Sequence, residues 1–322
     1  MIAWQGQMGV AKESSYGTAI TTPTRYIACQ TGNIETVVAR VASEEARGTR
    51  WEYRDEKTGI DYTFTWEQWA VPGEIGEVLE YAFGDVSSQV LIGDENRHTF
   101  TPASSLPSFT MFVDKAVTAT PTYRGAGAKI NTLTLENSAR DILRLTVEGS
   151  LQQHLWAAVI SPGDSDYESM RPLQFKDLAV SKGYAGVSPT SDTTIERFAV
   201  TITNNIITDK VSANGTEYIA ALPEGILQVT GAFDREFEDA NDFNAYVADN
   251  QLDIIATWTG SSMGTNDYSL QLDVPNARIT TNPLPQIAGT SERGIYTVEF
   301  KALYYSTDAR VIAAILDNEE DY

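Results

Sequence analysis

The stretch GILQVTGAFDREFED, Gly225–Asp239, decides how the chain is read. With a period of two, Leu227, Val229, Phe233 and Phe237 fall on one face, and Gln228, Thr230, Asp234, Glu236 and Glu238 fall on the other. That is a strand with one face for a core and one face carrying a row of carboxylates. Such a row repels itself. The question is whether it faces open solvent, a metal, a substrate, or a space in which negative charge is useful.

The same alternation recurs outward from this stretch. Ile60, Tyr62, Phe64 and Trp66 alternate with Asp61, Thr63, Thr65 and Glu67; Leu143, Leu145 and Val147 with Arg144, Thr146 and Glu148. Phe198, Val200 and Ile202 form a third apolar face, and Tyr296, Val298, Phe300 and Ala302 a fourth. These read as antiparallel strands, buried on one side and wet on the other. Helical spacing is rare. It occurs in GEIGEVLEYAFG from Gly73, DANDFNAYVADN from Asp239 and TDARVIAAILDN from Thr307. A strand entered at Gly59-Ile60 leads into the first helix, and one entered at Gly225-Ile226 leads into the second, about half a chain later. After the helices the chain returns to strand, as YAFG and as LDIIATW. The prediction is a mainly β fold of two similar lobes, 1–160 and 195–322, each with a flanking helix. They are joined by a Ser-, Gly- and Pro-rich linker, 161–194.

A chain of 322 residues has room for two such cores. Its formal charge of -21 argues against gripping nucleic acid, which needs Lys and Arg to release counterions from phosphates, and against anionic membranes. The single Cys29 rules out an internal disulfide framework. The N-terminus lacks the pattern of a secretory signal, and no apolar run is long enough to span a bilayer. A soluble product made in the cytosol, with no membrane partner, is expected.

Candidate chemistry is sparse. His98 and His154 stand in no metal-binding spacing. GAGAK, Gly125–Lys129, lacks the GK[ST] ending of a phosphate loop and reads as a turn. Asp164, Asp166 and Glu168 match only a fragment of a calcium loop, and Asn214-Gly215-Thr216 is a glycosylation sequon only in a secreted chain. Asp234 and Glu236 have a spacing near that of glycosidase carboxyls, but such pairs usually come from different elements lining a cleft. No catalytic residue, cofactor or metal is expected. The competing classes are a secreted or cell-surface β-sandwich of adhesin or S-layer type and, below it, a carboxylate glycoside hydrolase.

Four stretches carry a family likeness: GVAKESSYGTAITTPTRYI from Gly9, RHTFTPASSLPSFTMFVDKA from Arg97, YRGAGAKINTLTLEN from Tyr123 and TITNNI from Thr201. In this order they resemble the tail tube proteins of long-tailed, non-contractile phages and related viruses. The resemblance implies duplicated β-sandwich or barrel lobes assembled into rings that stack as a hollow tail tube in the virion. It implies a ring of the chain with itself, a pseudo-sixfold trimer or else a hexamer. Further partners would be tail tip, tape-measure and terminator proteins, with double-stranded DNA in passage. On that footing Asp61, Glu67, Asp234, Glu236 and Glu238 are assigned to an acidic lumen that does not hold DNA. The polar excursions Val41–Lys57 and Thr208–Pro223 are too long for hairpin turns. They are expected to carry ring-stacking contacts through Arg47, Arg50, Trp51, Arg54 and Tyr218.

Overall fold

A computed structural model describes residues 6–48, 50–115, 122–157, 160, 167–211, 217–284, 294–307, 310–320 and 322. Asp164, Asp166 and the sequon at 214–216 lie outside these residues.

The first half of the chain runs β1 (Gln7–Lys12), β2 (Arg25–Ile27), β3 (Cys29–Ala42), β4 (Asp55–Trp69), α1 (Ile75–Phe83), β5 (Gly84–Ile92), β6 (Glu95–Pro102), β7 (Phe109–Asp114), β8 (Thr122–Ser138), β9 (Arg144–Leu151) and β10 (Gln153–Ala157). The second runs β11 (Leu178–Tyr184), β12 (Thr190–Asp192), β13 (Ile195–Thr203), β14 (Gln228–Glu236), α2 (Asn241–Val247), β15 (Leu252–Ser262), β16 (Asp267–Ile279), β17 (Ile295–Ala302) and β18 (Ala313–Asn318). The fold is mainly β and the strand pairings are antiparallel, as the alternating apolar residues require.

The pairings repeat. β1 pairs with β2 and β7, as β11 pairs with β12 and β15. The order β3–β4–β9–β8 in the first half returns as β13–β14–β17–β16 in the second. β8 continues into a second layer between β7 and β10, and β16 does so between β15 and β18. The hairpin β5–β6 belongs to the first half alone and pairs with β18. The stretch expected to link the halves therefore contains sheet, since β11 and β12 lie within it.

Side chains follow this repeat. Thr146-Val147-Glu148 in β9 matches Thr297-Val298-Glu299 in β17. In β4–β9 Phe64 lies opposite Gly149, and in β14–β17 Phe300 lies opposite Gly231. A Cβ on Gly149 would lie 2.4 Å from Phe64 Cζ, and one on Gly231 would lie 2.3 Å from Phe300 Cζ. Each half thus seats one ring on one glycine, with the two residues exchanged between strands.

Between the layers of the first half, Phe109 meets Trp66 and Phe64 edge-on and stacks on Tyr81 of α1 at 4.5 Å. In the second half Phe198 meets Trp258 at 6.0 Å. α1 is buried nearly all round, which removes the need for a polar face. It ends where Gly84 turns left-handed at φ 96° and donates its N–H to Glu80 O. YAFG is therefore the end of the helix, and the strand begins at Gly84. α2 starts where the Asp239 carboxylate accepts the Asn241 N–H at 2.9 Å. The third predicted helix is β18. It lies between β16 and β6 and is buried on both sides, so its apolar run lacks the alternation that marks a half-wet strand.

Arg25 lies against α1, flanked by Glu77, Glu168 and Glu320. Burial pushes the Glu77 carboxyl up to about 7, with Arg25 opposing and Glu80 adding to the rise. A carboxyl raised on folding binds its proton more tightly in the folded state. Its penalty is absent below the ordinary value of 4.5, grows between there and about 7, and is complete above. Glu77→Gln is therefore expected to gain thermal stability relative to the parent as pH rises from 5 to 8. Melting curves at the two pH values check this, and an offset independent of pH would contradict it.

Candidate functional site

β3, β4, β9, β8, β13, β14, β17 and the end of β16 form one continuous sheet, because β8 pairs with β13 from Thr132↔Thr203 to Ser138↔Arg197. Its inner face carries Phe64, Trp66, Val147, Leu133, Leu135, Val200, Phe233 and Val298, all buried. Its outer face is wet. One row crosses it as Thr31, Glu67, Thr146, Thr134, Thr201, Thr230 and Lys301, each opposite the next. A neighbouring row runs Asn33, Thr65, Glu148, Thr132, Thr203 and Gln228. The surface is a carpet of threonine hydroxyls dotted with charge. Two shallow concavities lie at matched places on it. One is lined by Thr63, Thr65, Asn131 and Glu148, the other by Thr230, Ala232, Thr280 and Glu299.

Of the predicted lumen residues, Asp61, Glu67, Asp234 and Glu236 stand on this face. Glu67 pairs with Arg144 at 2.9 Å. Asp234 accepts the Thr297 hydroxyl at 2.6 Å and lies 3.9 Å from Arg197, so both acids are partly neutralised. Glu238 is elsewhere. β14 ends at Glu236, and Glu238 borders a concavity with Lys182, Asp192 and Arg235. Glu35, Glu136, Glu148 and Glu299 share the face and were not singled out from sequence. Their signal was available, because Glu148 and Glu299 alternate with buried valines in the repeated Thr-Val-Glu. Choosing them needed the strand partners. The basic residues on the same sheet surface include Arg144, Arg197, Arg278, Lys301 and, towards the ribbon, Arg40 and Lys57, fewer than the eight acids named.

His98 is buried, between the Ser88 hydroxyl at 2.8 Å and Glu320 O at 3.0 Å. His154 stacks on Tyr123 and meets Trp156 edge-on, and burial lowers its pKa. Among the described residues no three His, Cys, Asp or Glu gather as a metal site. Gly125–Lys129 is not a turn but part of β8, where Gly127 donates its N–H to Glu13 at 2.9 Å. No helix among the described residues is long and apolar enough to cross a membrane.

The two excursions differ sharply. The first is an exposed ribbon whose tip, 43–54, carries Arg47, Arg50, Trp51 and Arg54. Trp51 is 69% exposed, and Arg47 lies 4.6 Å over the Tyr53 ring. The described residues that close the second, 217–223, fold back over the first half. Ile219 and Leu222 are buried, Ile60 donates its N–H to Glu217 O at 2.8 Å, and Glu224 pairs with Lys129. Tyr218 packs against the core of its own chain, apart from the four residues of the first tip.

A buried ion cluster, unforeseen in the sequence, holds the second half together. Asp242 of α2 accepts Lys182 at 3.1 Å, Arg235 at 2.7 Å, Tyr296 at 2.6 Å and also the Tyr184 hydroxyl. Asp192 joins it through Lys182 at 3.0 Å. Burial pushes the Asp242 carboxyl upward, but Lys182, the two tyrosines and Arg235 outweigh this and hold it below the usual range. The cluster binds β11, β12, β14, β17 and α2 to one another, which is a structural role.

No curated protein matches the chain. The profile of a family described as phage tail tube protein matches residues 3–302, nearly the whole length and both halves of the repeated sheet, and the chain belongs to that family.

Proposed function

We propose that this chain is the repeating subunit of a hollow tail tube whose bore is lined by the threonine-and-carboxylate face. The observation that carries the reading is the continuity of that face across both halves of one chain. Membership of the family gives a structural role in the virion tail, in a family that is generally non-enzymatic. The rest follows from geometry and charge. The two halves act as two lobes, the first ending with β10 and the second beginning with β11, and copies join edge to edge until the sheet closes.

Closure also favours three copies. Each chain supplies eight strands spaced about 4.8 Å apart and tilted about 40°, so three chains give a backbone cylinder roughly 45–50 Å across and six give roughly 95 Å. The smaller cylinder suits a single duplex, and two lobes in each of three chains give pseudo-sixfold symmetry. DNA then passes a wall that offers water-bound hydroxyls and repelling carboxylates in place of the cations that would retain it. Rings stack through the exposed tip with Arg47, Arg50, Trp51 and Arg54. Tail tip, tape-measure and terminator proteins bound the tube, which is assembled in the host cytoplasm.

Electron microscopy of the purified protein tests this reading. Hollow rings or tubes are expected, and a persistent monomer under all assembly conditions would contradict it.

A further inference from the structure

The chain contains a finished seam between its halves and, at its two ends, the unpaired edges of a second one. In the finished seam Thr134 bonds Thr201 at 3.1 Å, Arg197 bonds Glu136 at 2.7 Å, and Trp258 reaches Asn137 at 2.9 Å. Phe198, Val200 and Ile202 of β13 are buried there to 1% exposure or less. β3 occupies the place of β13 in the repeat, with Ile34 opposite Phe64 as Val200 lies opposite Gly231. Among the described residues β3 pairs along β4 alone, and Val37, Val38 and Val41 are 49%, 40% and 60% exposed. A long, apolar, unpaired edge of this kind is a template for another strand.

The complementary edge is equally identifiable. Ala128-Lys129-Ile130-Asn131 of β8 matches Ala277-Arg278-Ile279-Thr280 at the end of β16, and Ile130 lies opposite Gly149 as Ile279 lies opposite Phe300. β8 runs on from Asn131 to pair with β13. In the second half Thr280 still bonds Glu299 O at 2.9 Å, on the β17 side, while residues 281–284 continue without a strand partner.

The excursions agree. The described residues after β13, 204–211 and 217–227, lie over the first half, where Asn204 donates to Ala82 O at the end of α1 and to Ile130 O. The corresponding stretch of the first half, at the end of β3 and the start of β4, is exposed at residues 38–42, 44–48 and 50–58. The matching end of α2 is bare, with Tyr246 and Val247 37% and 67% exposed.

We infer that the β3 edge is the docking strand for residues 280–284 of a second copy of this chain, in the register that β8 and β13 use internally. The base of the β3–β4 ribbon then lies against that copy's α2 end, as Asn204 lies against the end of α1, and the tip is left for the neighbouring ring. This deepens the tube reading and rests on it. Asn204 donates its N–H to Asn131 O, so Thr203 and Thr132 are the adjacent, closely spaced pair without mutual backbone bonds. Their counterparts are Val37 and Thr281.

The test is cysteine cross-linking in assembled protein carrying Cys29→Ser, with Val37→Cys and Thr281→Cys. Cross-strand pairs at such a site lie within disulfide reach. Oxidation is expected to give disulfide-linked ladders ending at three chains on non-reducing gels. The pair Val37→Cys and Asn282→Cys, shifted by one residue, points to opposite faces and is expected to link poorly. Thr132→Cys with Thr203→Cys is expected to close within one chain without a change in size. Tubes or rings seen by microscopy without cross-links, or equal linking of the shifted pair, would overturn the seam while leaving the tube reading intact. A monomer that neither assembles nor links would overturn both.

Discussion

Asp242→Asn is expected to cost about 3–5 kcal/mol of folding stability, because it leaves the buried Lys182 and Arg235 with Asp192 as their remaining buried carboxylate. The variant keeps the size and part of the hydrogen bonding of the side chain, so the loss reports the charge. Urea unfolding should show a large fall in midpoint with little change in slope. Since the Asp242 pKa is lowered on folding, its contribution is complete above the ordinary aspartate value and fades as pH falls below it. The gap between parent and variant should therefore narrow in acid. A change below about 1 kcal/mol at neutral pH, the size typical of a surface salt bridge, would show that the cluster is not what ties α2 to its sheet.

Reversal of charge on the sheet face is expected to have the second large effect, on function and not on folding. Glu148→Lys with Glu299→Lys changes matched positions and puts a cation in each half of the sheet. Each phosphate that such a wall neutralises steepens the dependence of log affinity on log salt by about 0.9. Mutant tubes should form normally, retain duplex DNA in sedimentation at low salt and release it as salt rises. Virions carrying them should lose infectivity by about tenfold or more, given several phosphate contacts per ring. Normal infectivity, with no DNA retained at low salt, would remove the face from the conduction path.

How far the sequence showed these features follows from what each one depends on. The alternation in Tyr62–Glu67 and Val229–Asp234 marks strands with one wet face because each strand has a core on one side only. β18 escaped this logic since it is covered on both sides, and its Ala-Ala-Ile-Leu run fits a helix equally well. Asp61, Glu67, Asp234 and Glu236 reached the wet sheet face by period alone. Glu238 did not, because the period outlasts the strand by two residues and local pattern does not say where a strand ends. The recurrence of a helix after β4 and β14 was visible. The exchange of Phe and Gly between Phe64–Gly149 and Gly231–Phe300 was not, since it conserves a contact and not a residue. The Asp242 cluster was hidden for a similar reason. Its members come from β11, β12, β14, β17 and α2, and only the tertiary fold brings them together. Tyr218 and the other described residues of the second excursion read as a projecting loop because their polarity resembles that of the first, yet they have the first half of the chain to fold upon.

The central claim is that the continuous face of β3–β4–β9–β8–β13–β14–β17–β16 is the wall of the bore. A three-dimensional reconstruction of the assembled tube by electron cryomicroscopy tests it most directly. Thr134, Thr201, Glu148 and Glu299 are expected to point into the channel, with no break in the sheet between neighbouring chains. Finding those side chains on the outside of the tube, or a channel lined by the β1, β2 and β11 layer, would contradict the account.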